Sequence, residues 1–233
     1  MTGNLIIMQK IDLHTHRLKS DSAVQILNTF AQDLPLPDDE NSYSAGLHPW
    51  HLELVNPDEC LLLVDQCAGQ KNVVAIGECG LDRSVATNFA TQEWYFKKQI
   101  QIAQKHSKPL IIHCVRAFPE LIKLKKEDHS TIPWIIHGYQ GNRSTTLQLM
   151  RYNFYFSVGE SLLTNEQKNE VVQLIPPDRL FLETDDRDIS ISQIYSLASQ
   201  ILKMDEESLS AIILENYQRL FVKEKVVLTS PSI

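Results

Sequence analysis

At 233 residues the chain fits one large domain or two small ones, and the length suits a single α/β barrel. A hydrophobic share of 43% supplies a sizeable core and excludes a disordered chain, while a net charge of −7 argues against a broad nucleic-acid-binding surface. No charged-then-apolar leader follows Met1 and no apolar run reaches about 18 residues, so neither export nor a membrane span is expected. Cys60, Cys67, Cys79 and Cys114 form no CxxC pair. They read as reduced thiols, which places the chain in the cytoplasm, and nothing implies an obligate protein partner.

The first apolar run, Leu5–Leu13, leads into "HTH", so His14 and His16 share one strand face with Asp12. Ser22–Gln32 matches two periods. A helix would run through Ala23, Ile26, Leu27, Phe30 and Ala31, capped within Ser20 to Ser22; a strand would run through Val24, Ile26 and Phe30. A crossover between parallel strands takes about a dozen residues, and Arg17 to Ser22 is shorter, so the helix is preferred. Leu34–Ser42 is a loop by its prolines and carboxylates.

Tyr43–Leu47 is the next strand, and it leads into "HPWH" with His48 and Trp50. Val73–Ile76 runs into "GECGLD", which puts Val74, Ile76 and Glu78 on one face with Gly77 and Gly80 flanking the carboxylate. Thr91–His106 reads as a helix, with Trp94, Phe96, Ile100 and Ala103 inward and Lys and Gln outward. Leu110–His113 and Trp134–His137 are apolar strands that end in histidine. Phe154–Val158 and Leu180–Glu183 follow, the latter opening "ETD" with Asp185, and Ile191–Lys203 is a helix. Strand and helix alternate along the whole chain, which predicts a parallel α/β sheet. Residues 1–221 read as one domain, and residues 222–233 as a peripheral tail with Thr229–Ile233 frayed.

Each polar strand end has an ordinary reading. A histidine there is a satisfied polar group, Glu78 could pair with Arg83, and Asp185 or Asp186 could cap the next helix. That account must then hold five times, always at the carboxyl end of a strand, where the sites of parallel barrels gather. A buried cluster of four imidazoles and two carboxylates also needs compensating positive charge. Six ligands, one a carboxylate able to bridge, suit two metal ions about 3.5–4 Å apart. Four nitrogen and two oxygen donors favour Zn²⁺, with Mg²⁺ or Mn²⁺ as alternatives.

The stretches "IDLHTH", "GLHPW", "GECGLD", "QEWYFKKQIQIAQKHSKPLIIH", "HGYQG", "ETD" and "NYQRLF" occur in that order from Ile11 to Phe221. In them the chain resembles the TatD family of metal-dependent hydrolases, within the amidohydrolase superfamily. The resemblance implies a distorted TIM-type barrel and a metal-dependent hydrolase of ester bonds, a deoxyribonuclease by the usual family assignment. It implies His14, His16 and Asp185 on one metal, His113 and His137 on the other, and Glu78 between them. The segment between "HTH" and "GLHPW" is short for the family, so one barrel element near the N-terminus is expected to be missing or rebuilt. Val115 stands where the family usually has arginine, with Arg116 one residue on, and "DRDISIS" replaces a proline-containing loop.

The chemistry expected is hydrolysis by a metal-activated hydroxide, with Asp185 taking the proton of the water and passing it to the leaving group. DNA or a small phosphodiester is the expected substrate. His48, Trp50, Arg83 and Arg116 are candidate substrate contacts, with Trp50 suited to stack on a base. Two alternatives stay open at this point: hydrolysis of an amide or lactone on the same metal site, and metal binding with little catalysis.

Overall fold

The computed structural model describes residues 9–20 and 23–222. Eight strands lie in the order of the chain, and each pairs in parallel with the next. They are β1 (Ile11–Thr15), β2 (Val24–Phe30), β3 (Ser42–Gly46), β4 (Val73–Asp82), β5 (Leu110–Val115), β6 (Trp134–Ile136), β7 (Tyr155–Val158) and β8 (Leu180–Leu182). Helices α1 (Pro57–Ala68), α2 (Phe89–His106), α3 (Phe118–Glu127) and α4 (Arg143–Met150) follow strands three to six. Short α5 (Glu160–Leu163) and α6 (Asn169–Leu174) follow β7; α7 (Ile191–Leu202) and α8 (Glu206–Phe221) follow β8. This is a (β/α) barrel of TIM type, nearly closed, with one unsealed seam. The expected tail lies, apart from Val222, outside the described residues, as do Leu5 to Met8, Asp21 and Ser22.

The rebuilt element is the first one. Val24–Phe30 is strand β2, not the preferred helix, and it is parallel to β1 with no helix among the described residues between them. The crossover-length argument fails because it assumes a helix in the return path. β1 has five residues, so the chain has to travel back only about 15 Å, and an extended link of eight residues spans about 26 Å. The helix-like stripe arose because Ile26 and Phe30 satisfy both periods; buried Asn28 is the polar residue that a core-facing helix stripe would not hold.

The seam lies between β1 and β8, and side chains close it where backbone pairing does not. The backbone N–H of Ile11 donates to the Tyr195 hydroxyl at 3.0 Å, and that hydroxyl donates back to the Ile11 carbonyl at 3.2 Å. Asp12 lies one step further along. Its carboxylate accepts from the Thr184 N–H at 3.0 Å and hydroxyl at 2.7 Å, so this aspartate is a brace across the seam. Backbone pairing returns only at the mouth, where Asp185 N–H donates to the His14 carbonyl at 2.9 Å and His16 N–H to the Asp185 carbonyl at 3.2 Å.

Helix α2 buries Phe96, Ile100 and Ala103 as expected and departs from the sequence expectation at Trp94 and at two glutamines. Trp94 is 47% exposed, while Gln92 and Gln99 are buried. Loops after strands carry backbone groups that need partners once they leave the ladder. The Gln99 amide accepts from Leu47 N–H at 2.7 Å and donates to its carbonyl at 2.9 Å, and Gln92 does the same for Asp82 at 2.8 and 3.0 Å. These two glutamines bracket the loops that carry His48 and follow Glu78.

Candidate metal centre

The carboxyl ends of β1, β4, β5, β6 and β8 converge, and they bring His14, His16, Glu78, His113, His137 and Asp185 to one mouth. Glu78 is the hub and is 4% exposed. Its N–H donates to the Asn28 side-chain oxygen of β2 at 2.9 Å, which fixes the strand at that point. Gly80 has a φ of +145°, and a side chain there would collide with the His113 carbonyl oxygen, so β4 can approach β5 this closely only as glycine.

The two oxygens of Glu78 face different partners. Oε1 lies 2.8 Å from His137 Nε2, 3.0 Å from His113 Nδ1 and 3.0 Å from His48 Nε2. Oε2 lies 3.6 Å from His14 Nε2 and 3.9 Å from His16 Nε2. Asp185 Oδ1 closes this second group at 3.2 Å from His16 Nε2 and 3.6 Å from His14 Nε2. Three sets of donor atoms within 4.8 Å of one another result: His14, His16 and Asp185; His14, Glu78 and His137; and His48, Glu78 and His113.

The protonation pattern shows that this set suits cations. Burial pushes His14 down to about 3, so its ring is neutral at ordinary pH. Both of its nitrogens are buried without a hydrogen-bond partner, as are His137 Nδ1 and Glu183 Oε2. Orphaned polar atoms of this kind, a donor and an acceptor in the case of neutral His14, are costly unless something outside the protein meets them. His113 makes the same point. Its Nε2 lies 2.9 Å from Asp82 Oδ2, an acceptor, so Nε2 carries the proton. In the neutral ring Nδ1 then points a lone pair at Glu78 Oε1, two acceptors at 3.0 Å that need a proton or a metal ion between them. Burial opposes ionisation of Glu78, but His137, His113 and His48 outweigh it and hold the carboxyl well below its usual range. Asp185 is brought down to about 2: burial opposes this, and the hydrogen bond from His16 and the charge of neighbouring imidazoles prevail.

His48 differs from the other imidazoles. Its Nδ1 accepts the Trp50 backbone N–H at 3.2 Å, so the neutral ring carries its proton on Nε2, facing Glu78. It is thus set up as a hydrogen-bond donor into the mouth. The remaining sequence candidates sit as follows. Trp50 is 52% exposed beside the cluster. Arg83 is taken up by Glu120 at 2.5 Å and by the Phe89 ring at 3.9 Å, and it meets no residue of the cluster. Glu78 accordingly has imidazole partners and no arginine. Arg116 is exposed on the loop after β5 with φ of 53°. Neither Asp185 nor Asp186 caps α7, which Ser190 caps together with Gln193. Glu183 is legible in the sequence as a strand-end carboxylate, whereas Asp82 is not singled out there. A second-layer carboxylate has no pattern of its own, although both stand in strand-end motifs. Beside the cluster a cavity of about 210 Å³ opens between His113, His137, Tyr139, Glu160, Glu183 and Asp185.

A family model described as TatD related DNase matches residues 13–222. An uncharacterized metal-dependent hydrolase of Bacillus subtilis, YabD, is 32% identical over 181 residues, 70% of this chain and 71% of that protein. A protein named 3'-5' ssDNA/RNA exonuclease TatD, from Pectobacterium atrosepticum, is 34% identical over 149 residues, 61% of this chain and 56% of that one. The crystal structure of the TatD homolog YJJV from Escherichia coli superposes with a TM-score of 0.77 at 18% identity, covering 92% of this chain and 98% of that chain, which shows the shared fold.

Proposed function

The chain belongs to the family of TatD related DNases, metal-dependent hydrolases, and from that premise we propose that it is a phosphodiesterase acting at a centre of two divalent ions. The division of the Glu78 oxygens between two groups of imidazoles carries this reading. His14, His16 and Asp185 would hold one ion, His113 and His137 the other, and Glu78 would bridge them. Imidazole-rich donors favour Zn²⁺, with Mg²⁺ or Mn²⁺ able to serve. Bound there, such ions supply Lewis acidity toward a phosphoryl oxygen and bring water within reach of deprotonation at neutral pH.

The residues of the chain do the rest. Asp185 takes the proton of the attacking water and hands it to the leaving oxygen. His48 Nε2–H, which faces Glu78 Oε1 at 3.0 Å, would be freed by ions that take up Glu78 and then donate to a phosphoryl oxygen, the site of charge build-up in the transition state. Trp50 presents its ring to a base. Relatives named exonucleases favour a phosphoester over an amide or lactone, and nucleic acid or a small phosphodiester as substrate. Residues 1–221 would form the single hydrolase domain. No described helix is long and apolar enough to cross a membrane, and the four free cysteines fit a reducing cytoplasm.

The test is elemental analysis of protein purified without chelator, combined with hydrolysis of a nitrophenyl phosphodiester. Close to two divalent ions per chain are expected, with activity lost on chelation and restored by Zn²⁺ or Mn²⁺. A metal-free protein that takes up no added ion and cleaves no phosphodiester would overturn the reading.

A further inference from the structure

Asp82 ends β4 and is fully buried. Its Oδ1 accepts the Ser84 N–H at 2.7 Å and hydroxyl at 2.5 Å. Its Oδ2 accepts two donors of different character: His113 Nε2–H at 2.9 Å and the Trp50 indole Nε1–H at 2.7 Å. One oxygen therefore ties a member of the cluster to a ring that is 52% exposed. The Trp50 ring also stands edge-on to His48 at 4.9 Å and to His113 at 5.6 Å, and its backbone N–H is bound to His48. An exposed indole elsewhere would sample several rotamers, whereas this one is held at both ends beside the cluster.

We infer that Asp82 is a positioning residue that locks Trp50 as a rigid stacking platform, so that the enzyme selects phosphodiesters carrying an unpaired base next to the scissile phosphate. The inference rests on the phosphodiesterase reading above and adds how that site grips its substrate. Arg83 is spent on Glu120, so it does not offer its charge to a phosphate beside Trp50. Ring stacking acts on any base whose face is open. A bare structural role for the indole N–H is the rival account: Asp82 needs donors because it is buried. It already has three without Trp50, however, and a structural role gives no reason for the ring to face solvent.

The experiment compares thymidine 5′-(p-nitrophenyl phosphate) with methyl p-nitrophenyl phosphate on the metal-loaded enzyme. The two share a leaving group, and the second ester oxygen carries a nucleoside, with its base, in one and a methyl group in the other. Trp50→Ala is expected to lower the thymidine-over-methyl ratio of kcat/KM about tenfold or more, through KM. Trp50→Phe keeps a ring but loses the N–H, and is expected to lower the ratio about three- to tenfold. Asp82→Ala, which removes both side-chain acceptors, is expected to lose discrimination in the same way and also to lower kcat on both esters through His113. Trp94→Phe, on the outer face of α2, leaves the ratio unchanged. By nitrogen-15 NMR the Trp50 indole proton exchanges slowly in the wild type and responds to thymidine 5′-monophosphate, and in Asp82→Ala it exchanges freely. An unaltered ratio in Trp50→Ala, or an indole proton still protected in Asp82→Ala, overturns the inference. A wild type that cleaves neither ester sinks the phosphodiesterase reading instead, and the indole measurements still decide the platform.

Discussion

Two buried carboxylates at opposite ends of the barrel show what separates a site from a structural knot. Asp128, at the amino end, accepts from Ser130 N–H at 3.0 Å, Ser130 Oγ at 2.9 Å, Gln104 Nε2 at 2.7 Å, Trp134 Nε1 at 3.1 Å and Lys125 Nζ at 3.4 Å. Every partner brings a hydrogen of its own. Glu78, at the carboxyl end, faces imidazoles, each of which in its neutral form has one hydrogen to give and has in part spent it elsewhere, as His113 has on Asp82. The first arrangement is complete within the chain. The second draws in positive charge: against the opposition of burial, Asp82 and Glu78 raise His113, and Glu78 and Glu183 raise His137 well above the usual imidazole range, and a set that recruits charge in this way suits cations.

The contrast breaks most sharply at Asp185. Asp185→Asn keeps the backbone bridge across the seam and removes the proton acceptor. Turnover should fall about 10²–10⁴-fold while metal-free thermal unfolding barely moves. Parallel kinetics and melting curves would decide it, and near-normal turnover would return Asp185 to the structural class. Next in size is the response to metal. At about 100 times its dissociation constant a divalent ion should stabilise the wild type by about 2.7 kcal/mol, and Glu78→Gln should lose that gain; calorimetry with and without Zn²⁺ reads it directly.

The reverse experiment is Asp128→Asn. It should cost about 2 kcal/mol of stability and leave kcat alone, since charged hydrogen bonds are lost far from the mouth. Burial opposes ionisation of Asp128, yet its donors hold the carboxyl below the usual range. A group with a depressed folded pKa stabilises fully above the unfolded value of about 3.9 and loses that contribution as pH falls through the folded one. The gap between wild type and variant should therefore be flat from about pH 5 upward and close in stronger acid. Denaturant melts at several pH values would show it, and a gap that widens in acid would contradict the sign.

The smallest effect concerns salt. Arg17 donates to the Asp186 carbonyl, Lys19 to those of Arg187 and Ile189, and Arg83 pairs with Glu120, so three cations near the mouth are occupied within the chain and Arg116 stands exposed. Between about 50 and 200 mM salt, affinity for a single-stranded oligonucleotide should change less than about tenfold, far below the loss for a protein gripping many phosphates. A filter-binding titration showing a steep slope would reveal a basic track outside these residues.

Much of this is legible in the sequence. Apolar runs ending in His113, His137 and "ETD" announce parallel strands with polar tips, because a strand buried on both faces can turn polar only where it leaves the core. What the sequence hid follows from the same physics. Val24–Phe30 satisfies two periods at once, and a minimum crossover length holds only where a helix makes the return. The inward side of α2 was misjudged at Trp94, because Gln92 and Gln99 enter the interior to satisfy loop backbone that periodicity does not count. Asp82 went unnoticed because its partners, Trp50 and His113, lie 32 and 31 positions away. The placement of the six proposed ligands needed only the rule that parallel strands point one way.

The seam between β1 and β8 gives the molecule a built-in order of completion. Thr15 and Asp185 are 170 positions apart, so their meeting is among the last and entropically most demanding closures of the ring. His14 and His16 stand on one side of that meeting and Asp185 on the other. A half-folded chain, whatever helices and inner strands it has formed, holds its donor atoms in two separate halves and is chemically silent. Hydrolysis would then begin only once the circle is joined, and any ion held across the join would act as a clasp on the fold.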